Sequence, residues 1–273
     1  MHRYIADMHT HSEFSHDSEC KIEDMCLAQI ANGTQIFAVT DHCDIDRLNI
    51  NDNFIDIKKS CQQAKELNEK YGDKCMILSG VEVGELFWHP EYTQTLYELY
   101  PYDVIIGSVH RVKHKYTGGA YSLIDFSRYT LDDIYDFLDK YFNDVVRLLD
   151  TTDFDILAHL TCPLRYIVGK YKHNVDMTRY VQIIGEILQT IIDNGIALEV
   201  NTSTYSAMGE FLPHSAIIKR YYDMGGRLVT LGSDAHISHN ASQHFDKAIT
   251  LLKQIGFEGI YYYKDRKPIK ISI

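Results

Sequence analysis

Fourteen histidines stand in this chain of 273 residues, an excess that asks for metal or proton chemistry. Their spacing narrows the choice. His9 and His11 lie two residues apart behind a short apolar run from Tyr4 to Ala6. Side chains alternate along a strand, so both imidazoles point to one side and can reach one metal ion. Asp234 and His236 repeat the arrangement behind Leu231-Gly232-Ser233, and His16 follows His11 after a loop-length gap, close enough to join the same ion or a neighbour.

The same kind of residue closes one strand-like run after another. His42 follows Ala38-Val39-Thr40-Asp41, and Glu82 lies within Gly80-Val81-Glu82-Val83-Gly84-Glu85. His110 ends Ile105-Ile106-Gly107-Ser108-Val109-His110, and His159 ends Ile156-Leu157-Ala158-His159. A single histidine at a strand end is commonly capped or solvated; six strand ends in succession are not independent accidents. Imidazole with carboxylate and no thiolate suits zinc, manganese or iron rather than a closed, cysteine-rich structural zinc. So many donors exceed the needs of one ion, and two or three divalent ions sharing a bridging carboxylate would use them all.

The elements that must position these groups alternate from end to end. Strand-like runs cover residues 3–7, 36–40, 76–83, 103–109, 155–159, 196–201 and 227–233, with an eighth candidate at 260–263. Most are short and apolar throughout, as strands buried on both faces are. Helical periodicity marks 22–32, 54–71, 131–149, 178–194, 214–224 and 243–255. Thr130 with Asp133 forms a capping-box pattern, and Gly195 is a suitable residue just past a helix end. The alternation predicts an α/β fold with a parallel sheet, in which sites form at the C-terminal strand ends. No linker or repeat divides the chain, so residues 1–273 read as one domain. Less regular stretches at 86–101 and 113–127, rich in Tyr, Gly and His, are candidates to roof a site.

A net charge of -11 argues against a broad nucleic-acid surface but leaves room for a local basic pocket for one small phosphate, such as that of a small phosphorylated metabolite. A small anionic substrate is easier to accommodate than a polymer. No run approaches a membrane span. The six cysteines (Cys20, Cys26, Cys43, Cys61, Cys75, Cys162) show no C-x-x-C spacing, and no charged or apolar leader precedes the first strand. The expectation is a reduced, cytoplasmic protein with free thiols. Its oligomeric state is left open.

Taken in order, the His-x-His opening, Thr40-Asp41-His42, the Gly-Val-Glu segment, Gly107-Ser108-Val109-His110, Leu-Ala-His and Gly-Ser-Asp-Ala-His resemble the motifs of the polymerase-and-histidinol-phosphatase (PHP) superfamily. The likeness spans almost the whole chain and is greatest to the histidinol-phosphatase branch. It implies a distorted seven-stranded, TIM-like β/α barrel with a trinuclear centre at its C-terminal face. Carried over residue by residue, one ion would take His9, His11, Glu82 and Asp234. A second would share Glu82 and take His110 and His159, and a third would take His16, His42 and His236. Catalytic roles would fall to Asp234, Glu82 and His236.

The implied reaction is hydrolysis of a phosphate monoester, most naturally histidinol phosphate, without a covalent enzyme intermediate. Two close ions lower the pKa of a shared water toward about 7 and clamp the phosphoryl oxygens. A cation must hold the rest of the phosphate; Arg165 is the first choice and Arg111 the second. Glu85 could enter the pocket and bind a substrate amino group, or instead orient a ligand histidine, and Asn201 would support a ligand. Other PHP substrates remain open at this stage: phosphotyrosine protein, another small phosphoester, or a nucleic-acid phosphodiester. So does a non-catalytic metal-binding protein.

Overall fold

The computed structural model describes residues 5–44, 50–113 and 119–273. Its main sheet contains β1 (Ala6–Thr10), β2 (Ile36–Val39), β3 (His42–Asp44), β4 (Met76–Gly84), β5 (Val104–Ser108), β6 (Ile156–Leu157), β7 (Ala197–Asn201) and β8 (Val229–Gly232), all parallel. β2 and β3 share one position in the sheet. Val39 pairs with Ser79 of β4, the chain bends through Thr40 and Asp41, and His42 resumes opposite Glu82. Seven positions therefore run around a nearly closed parallel barrel.

The seam between β1 and β8 closes next to the histidines. Asp234 N donates to His9 O and His11 N donates to Ala235 O, each at 2.9 Å. Below them the buried Asp7 carboxylate accepts from Ser233 N at 2.9 Å, Ser233 Oγ at 2.6 Å and Gln29 Nε2 at 2.7 Å. A buried carboxylate is tolerated when several donors replace its lost water, and here those donors also tie the barrel shut.

Helices α1 (Ile22–Ala31), α2 (Ile50–Tyr71), α3 (Thr93–Leu99), α4 (Leu131–Thr151), α5 (Val181–Asp193), α6 (Tyr205–Met208), α7 (Ser215–Asp223) and α8 (Phe245–Ile255) lie between or after the strands. α4 shows why the sequence forms them. Ile134, Phe137, Leu138, Tyr141, Phe142, Val145, Leu148 and Leu149 recur on one face and are all buried. Full burial of each such side chain contributes roughly 1.5–3 kcal/mol. The capping box at its start is present: Asp133 N donates to Thr130 Oγ1 at 3.2 Å, and Thr130 N donates back to Asp133 Oδ2 at 3.1 Å. Gly195 adopts φ +68°, the left-handed conformation that ends α5 cheaply.

Four boundaries differ from the sequence expectation, each for a local reason. β1 begins at Ala6 rather than residue 3 and continues to Thr10, with a register shift between Asp7 and Thr10, so His9 lies inside the strand; residues 3 and 4 are outside the described residues. β6 keeps only Ile156 and Leu157, because His159 and Thr161 turn into positive φ and end the pairing. α2 begins at Ile50, and the stretch before α5 is a single 3-10 turn, Met177–Tyr180. The eighth strand candidate forms β9 (Gly259–Lys264), which pairs antiparallel with β10 (Lys267–Ser272) outside the barrel. Its turn reaches the N-terminal end, where Arg266 Nε donates to Asp155 Oδ2 at 2.6 Å and Arg266 N to Asp103 O at 2.9 Å.

Candidate metal centre

One carboxylate organises the C-terminal face. Glu82, fully buried on β4, presents its two oxygens to two different groups of imidazoles. Oε1 lies 2.9 Å from His159 Nε2 and 3.2 Å from His110 Nε2. Oε2 lies 2.8 Å from His42 Nδ1, 3.3 Å from His9 Nε2 and 3.6 Å from His11 Nε2. Asp234 Oδ1 joins the second group at 3.4 Å from His11 Nε2 and 3.8 Å from His9 Nε2. The His42–Glu82 contact is short, yet neither Glu82 Oε2 nor His42 Nδ1 has a hydrogen-bond partner among the described residues. Buried polar atoms that converge this closely and are left without a partner are arranged as ligands are around an ion.

The outward nitrogens carry that argument further. His9 Nδ1 is 2.6 Å from Glu199 Oε1; a carboxylate only accepts, so Nδ1 donates to it and Nε2 is the nitrogen turned to the cluster, free to bind an ion once its proton is displaced. His11 Nδ1 is 3.1 Å from Ser15 Oγ, whose own proton goes to Asp41 Oδ1 at 2.6 Å, so His11 also donates outward. The two Nε2 atoms then face each other at 3.0 Å. His110 and His159 also bring their Nε2 atoms together, 3.4 Å apart, with that of His159 2.9 Å from Glu82 Oε1. Two nitrogens on one tetrahedral zinc, each about 2.0–2.1 Å from it, are about 3.3 Å apart. The donor set therefore fits divalent cations, and outer partners of this kind are what orient ligand histidines.

Proton affinities in the cluster follow its charges. Burial pushes the His9 imidazole down, but Glu199, Glu82 and Asp234 outweigh it and hold His9 well above its ordinary value. His11 goes the other way, held well below by burial and by His236 and His42. Burial raises the Glu82 carboxyl, yet His110, His9 and His42 hold it well below the ordinary carboxylate range. Asp234 behaves likewise under His11, His9 and Arg165.

Of the nine residues expected to hold metal, the structure brings eight into these contacts: His9, His11, His42, Glu82, His110, His159, Asp234 and His236. His11 stacks against both His42 and His236 at 4.1 Å between ring centroids, and these three imidazoles alone can share a cation. His16 is further out, its side chain 34% exposed and its ring 5.3 Å from that of His42, yet its ligand nitrogen still groups with the ligand atoms of Asp17 and His42 within 4.8 Å. The group nearest the third position is one that sequence reasoning missed. Asp17 Oδ2 lies 3.3 Å from His236 Nε2 and 3.6 Å from His42 Nε2. Burial raises the Asp17 carboxyl, but bonds to His236 and His42 draw it far below its usual range.

The cluster opens into a cavity lined by Asp17, His42, His110, Tyr121, His159, Cys162, Arg165, Tyr166, Asp234 and His236, among others. Arg165 reaches it from the segment after β6. Its Nη2 donates to Asp234 Oδ2 at 2.9 Å and to Ser203 Oγ, while its buried Nε has no hydrogen-bond acceptor among the described residues. Asn201 holds Ser203 in turn, accepting from Ser203 N at 3.1 Å. Tyr121 comes from the stretch expected to roof the site; residues 114–118 of that stretch lie outside the described residues.

Arg111 and Glu85 do not line this cavity. Glu85 follows the end of β4 with φ 49°, is fully buried, and accepts from the backbone N–H groups of His110 and, at 2.8 Å, of Arg111. Burial and the nearby Asp44 push its carboxyl up to about 8. Through these bonds it braces the segment that carries His110. A larger cavity of about 790 Å³ opens elsewhere, between β10, α8 and the start of β2, and holds none of the cluster.

Comparison with known proteins agrees with this geometry. A Thermotoga maritima protein named "Probable histidinol-phosphatase" is 28% identical over 255 residues, covering 93% of this chain and 94% of that one. The histidinol-phosphatase of Lactococcus lactis subsp. lactis is 28% identical over 276 residues, covering 97% and 98%. The crystal structure of a histidinol phosphate phosphatase from that organism, complexed with zinc, L-histidinol and phosphate, superposes with a TM-score of 0.78 at 26% identity over 97% of this chain and 99% of that one. The PHP domain model matches residues 7–203, which include every cluster residue except Asp234 and His236 of the closing strand. Sequence motifs, barrel and convergent donors thus lead to one conclusion: this chain belongs to the PHP domain family.

Proposed function

We propose that the chain is a metal-dependent phosphomonoesterase that hydrolyses L-histidinol phosphate to L-histidinol and phosphate, a step of histidine biosynthesis. The observation that supports phosphoester chemistry is the position of Arg165. It puts a guanidinium in the same cavity as the Glu82-centred donors, with a buried Nε that lacks an acceptor among the described residues. Phosphate is the ligand that a planar cationic fork beside a multi-ion cluster fits. The relatives support this substrate: they match over nearly their whole length and are named probable histidinol-phosphatase and histidinol-phosphatase.

Two or three zinc, manganese or iron ions would be held by His9, His11, Glu82 and Asp234, by Glu82, His110 and His159, and by His42 and His236 with Asp17 or His16. When bound, such ions supply an activated water and neutralise charge on the phosphoryl oxygens. The chain supplies the rest. Arg165 binds and orients the phosphate, and Asp234 fixes that guanidinium while remaining ionised, which suits a ligand and not a proton donor. Glu82 bridges two donor groups and keeps their separation constant.

Among the described residues no helix is long and apolar enough to cross a membrane. All six cysteines are free, which suits the reducing cytoplasm. Rates measured side by side on histidinol phosphate, a phosphotyrosine peptide and single-stranded DNA test the reading. Histidinol phosphate should be preferred by at least tenfold in kcat/KM, and a higher value for either competitor overturns the substrate assignment.

A further inference from the structure

We infer that Glu199, from the middle of β7, is a positioning residue that sets the ligand geometry of two ion sites at once. The inference rests on the metal-centre reading above. Glu199 is buried, and its two oxygens serve different sites. Oε1 accepts from His9 Nδ1 at 2.6 Å, which fixes the tautomer in which His9 Nε2 faces the cluster. Oε2 accepts from His159 N at 2.6 Å and from Asn201 Nδ2 at 3.1 Å.

The bond to His159 restrains a strained backbone. His159 has φ +23°, a conformation that a residue with a Cβ adopts at a cost of about 1–3 kcal/mol and keeps only when its surroundings enforce it. That turn aims the imidazole back at Glu82 Oε1. One carboxylate thus orients a ring of the His9–His11–Asp234 group and the backbone of the His110–His159 group.

Gly232 supplies an independent observation. A Cβ at that position would lie 2.0 Å from Glu199 Oε1 and 2.8 Å from the His9 Cβ. The glycine in Leu231-Gly232-Ser233 leaves β8 open where the Glu199–His9 pair passes. No conformational need explains it, since Gly232 is not among the positive-φ residues.

The hydrogen-bond inventory makes the substitution Glu199→Gln informative. Glutamine keeps the shape but offers one acceptor oxygen and one donor amide. Two N–H donors, from His159 and Asn201, claim the oxygen. The amide is left against His9 Nδ1 and forces the proton onto Nε2, where it blocks the metal.

The test measures metal, not turnover. Wild type and Glu199→Gln are loaded with zinc and desalted, their metal per chain is counted, and affinities are obtained by competition with a chromophoric chelator. The inference predicts that Glu199→Gln loses at least one ion per chain, with a 10- to 100-fold weaker tightest site, the range usual for lost outer partners of ligand histidines. Affinities within threefold of wild type at full metal content overturn it.

A second measurement needs no variant. Imidazole 15N shifts of zinc-loaded wild type should show His9 protonated at Nδ1 and metallated at Nε2; the reverse assignment overturns the inference whether or not the variant folds. Wild type that binds no zinc at all would instead remove the metal-centre reading itself.

Discussion

Arg165→Met isolates the phosphate-binding half of the site. Methionine matches only the unbranched stem of arginine, so the packing of the stem against the cavity wall is kept while the guanidinium is lost. In the free protein that group holds Asp234 Oδ2 at 2.9 Å and Ser203, and its Nε has no acceptor among the described residues. A hydrogen bond to a charged group contributes about 1.5–3 kcal/mol. Losing one or two to the phosphate therefore costs about 2–4 kcal/mol of transition-state binding, partly offset by water in a cavity this open. At 1.36 kcal/mol per factor of ten, kcat/KM on histidinol phosphate should fall about 30- to 1000-fold. Inorganic phosphate should weaken as a competitive inhibitor in parallel. Arg165→Lys keeps charge but not the planar fork, so it should lie between the two. The assay is phosphate release at saturating metal, with metal content checked in each variant. A kcat/KM for Arg165→Met within threefold of wild type would refute the assignment of Arg165 to the phosphate.

Three further outcomes follow from other parts of the fold. Gly107→Ala places a Cβ 2.7 Å from the Phe154 ring, and overpacking of this kind costs about 1–3 kcal/mol, so Tm should drop by several degrees; an unchanged Tm contradicts the packing. Arg266→Met strips the 2.6 Å partner from the buried Asp155 and should destabilise by on the order of 3 kcal/mol in urea unfolding, with turnover per folded molecule kept because the hairpin sits at the opposite end. An unshifted midpoint would show that water replaces the arginine. In metal-free protein His9 is held above its unfolded value and His42 is raised to about 10, so protonation of both stabilises that form at low pH and the contribution fades as pH rises through their folded pKa values. Metal must displace those protons. Zinc titrated into weakly buffered metal-free protein at pH 7 should release acid, and no release would contradict the protonated state.

Much of the site could be read from the chain because its donors sit at strand ends in chain order. His9 with His11 and Asp234 with His236 share the i, i+2 geometry that puts neighbouring side chains on one face, and the structure brings the two pairs together, with His9 and His11 also facing Glu82. Alternating apolar strands and amphipathic helices sufficed for a parallel α/β sheet, its closure into a barrel came from the family resemblance, and the Thr130–Asp133 cap and Gly195 were visible as local chemistry. What escaped depends on contacts made only by the fold. Glu199 meets His9 across 190 residues of sequence. Its one local signal is a charged residue inside the apolar run Ala197-Leu198-Glu199-Val200. Asp17 lies in a loop whose path periodicity does not determine, and Glu85 is turned aside by a left-handed backbone just past β4. β3, three residues long, is too short to carry a periodic signal.

The most direct test of the account is anomalous diffraction from crystals grown with zinc or manganese. It predicts two peaks flanking the Glu82 carboxylate, one among His9, His11 and Asp234 and the other between His110 and His159. Absence of both peaks at full metal loading, or metal bound only away from Glu82, would contradict it.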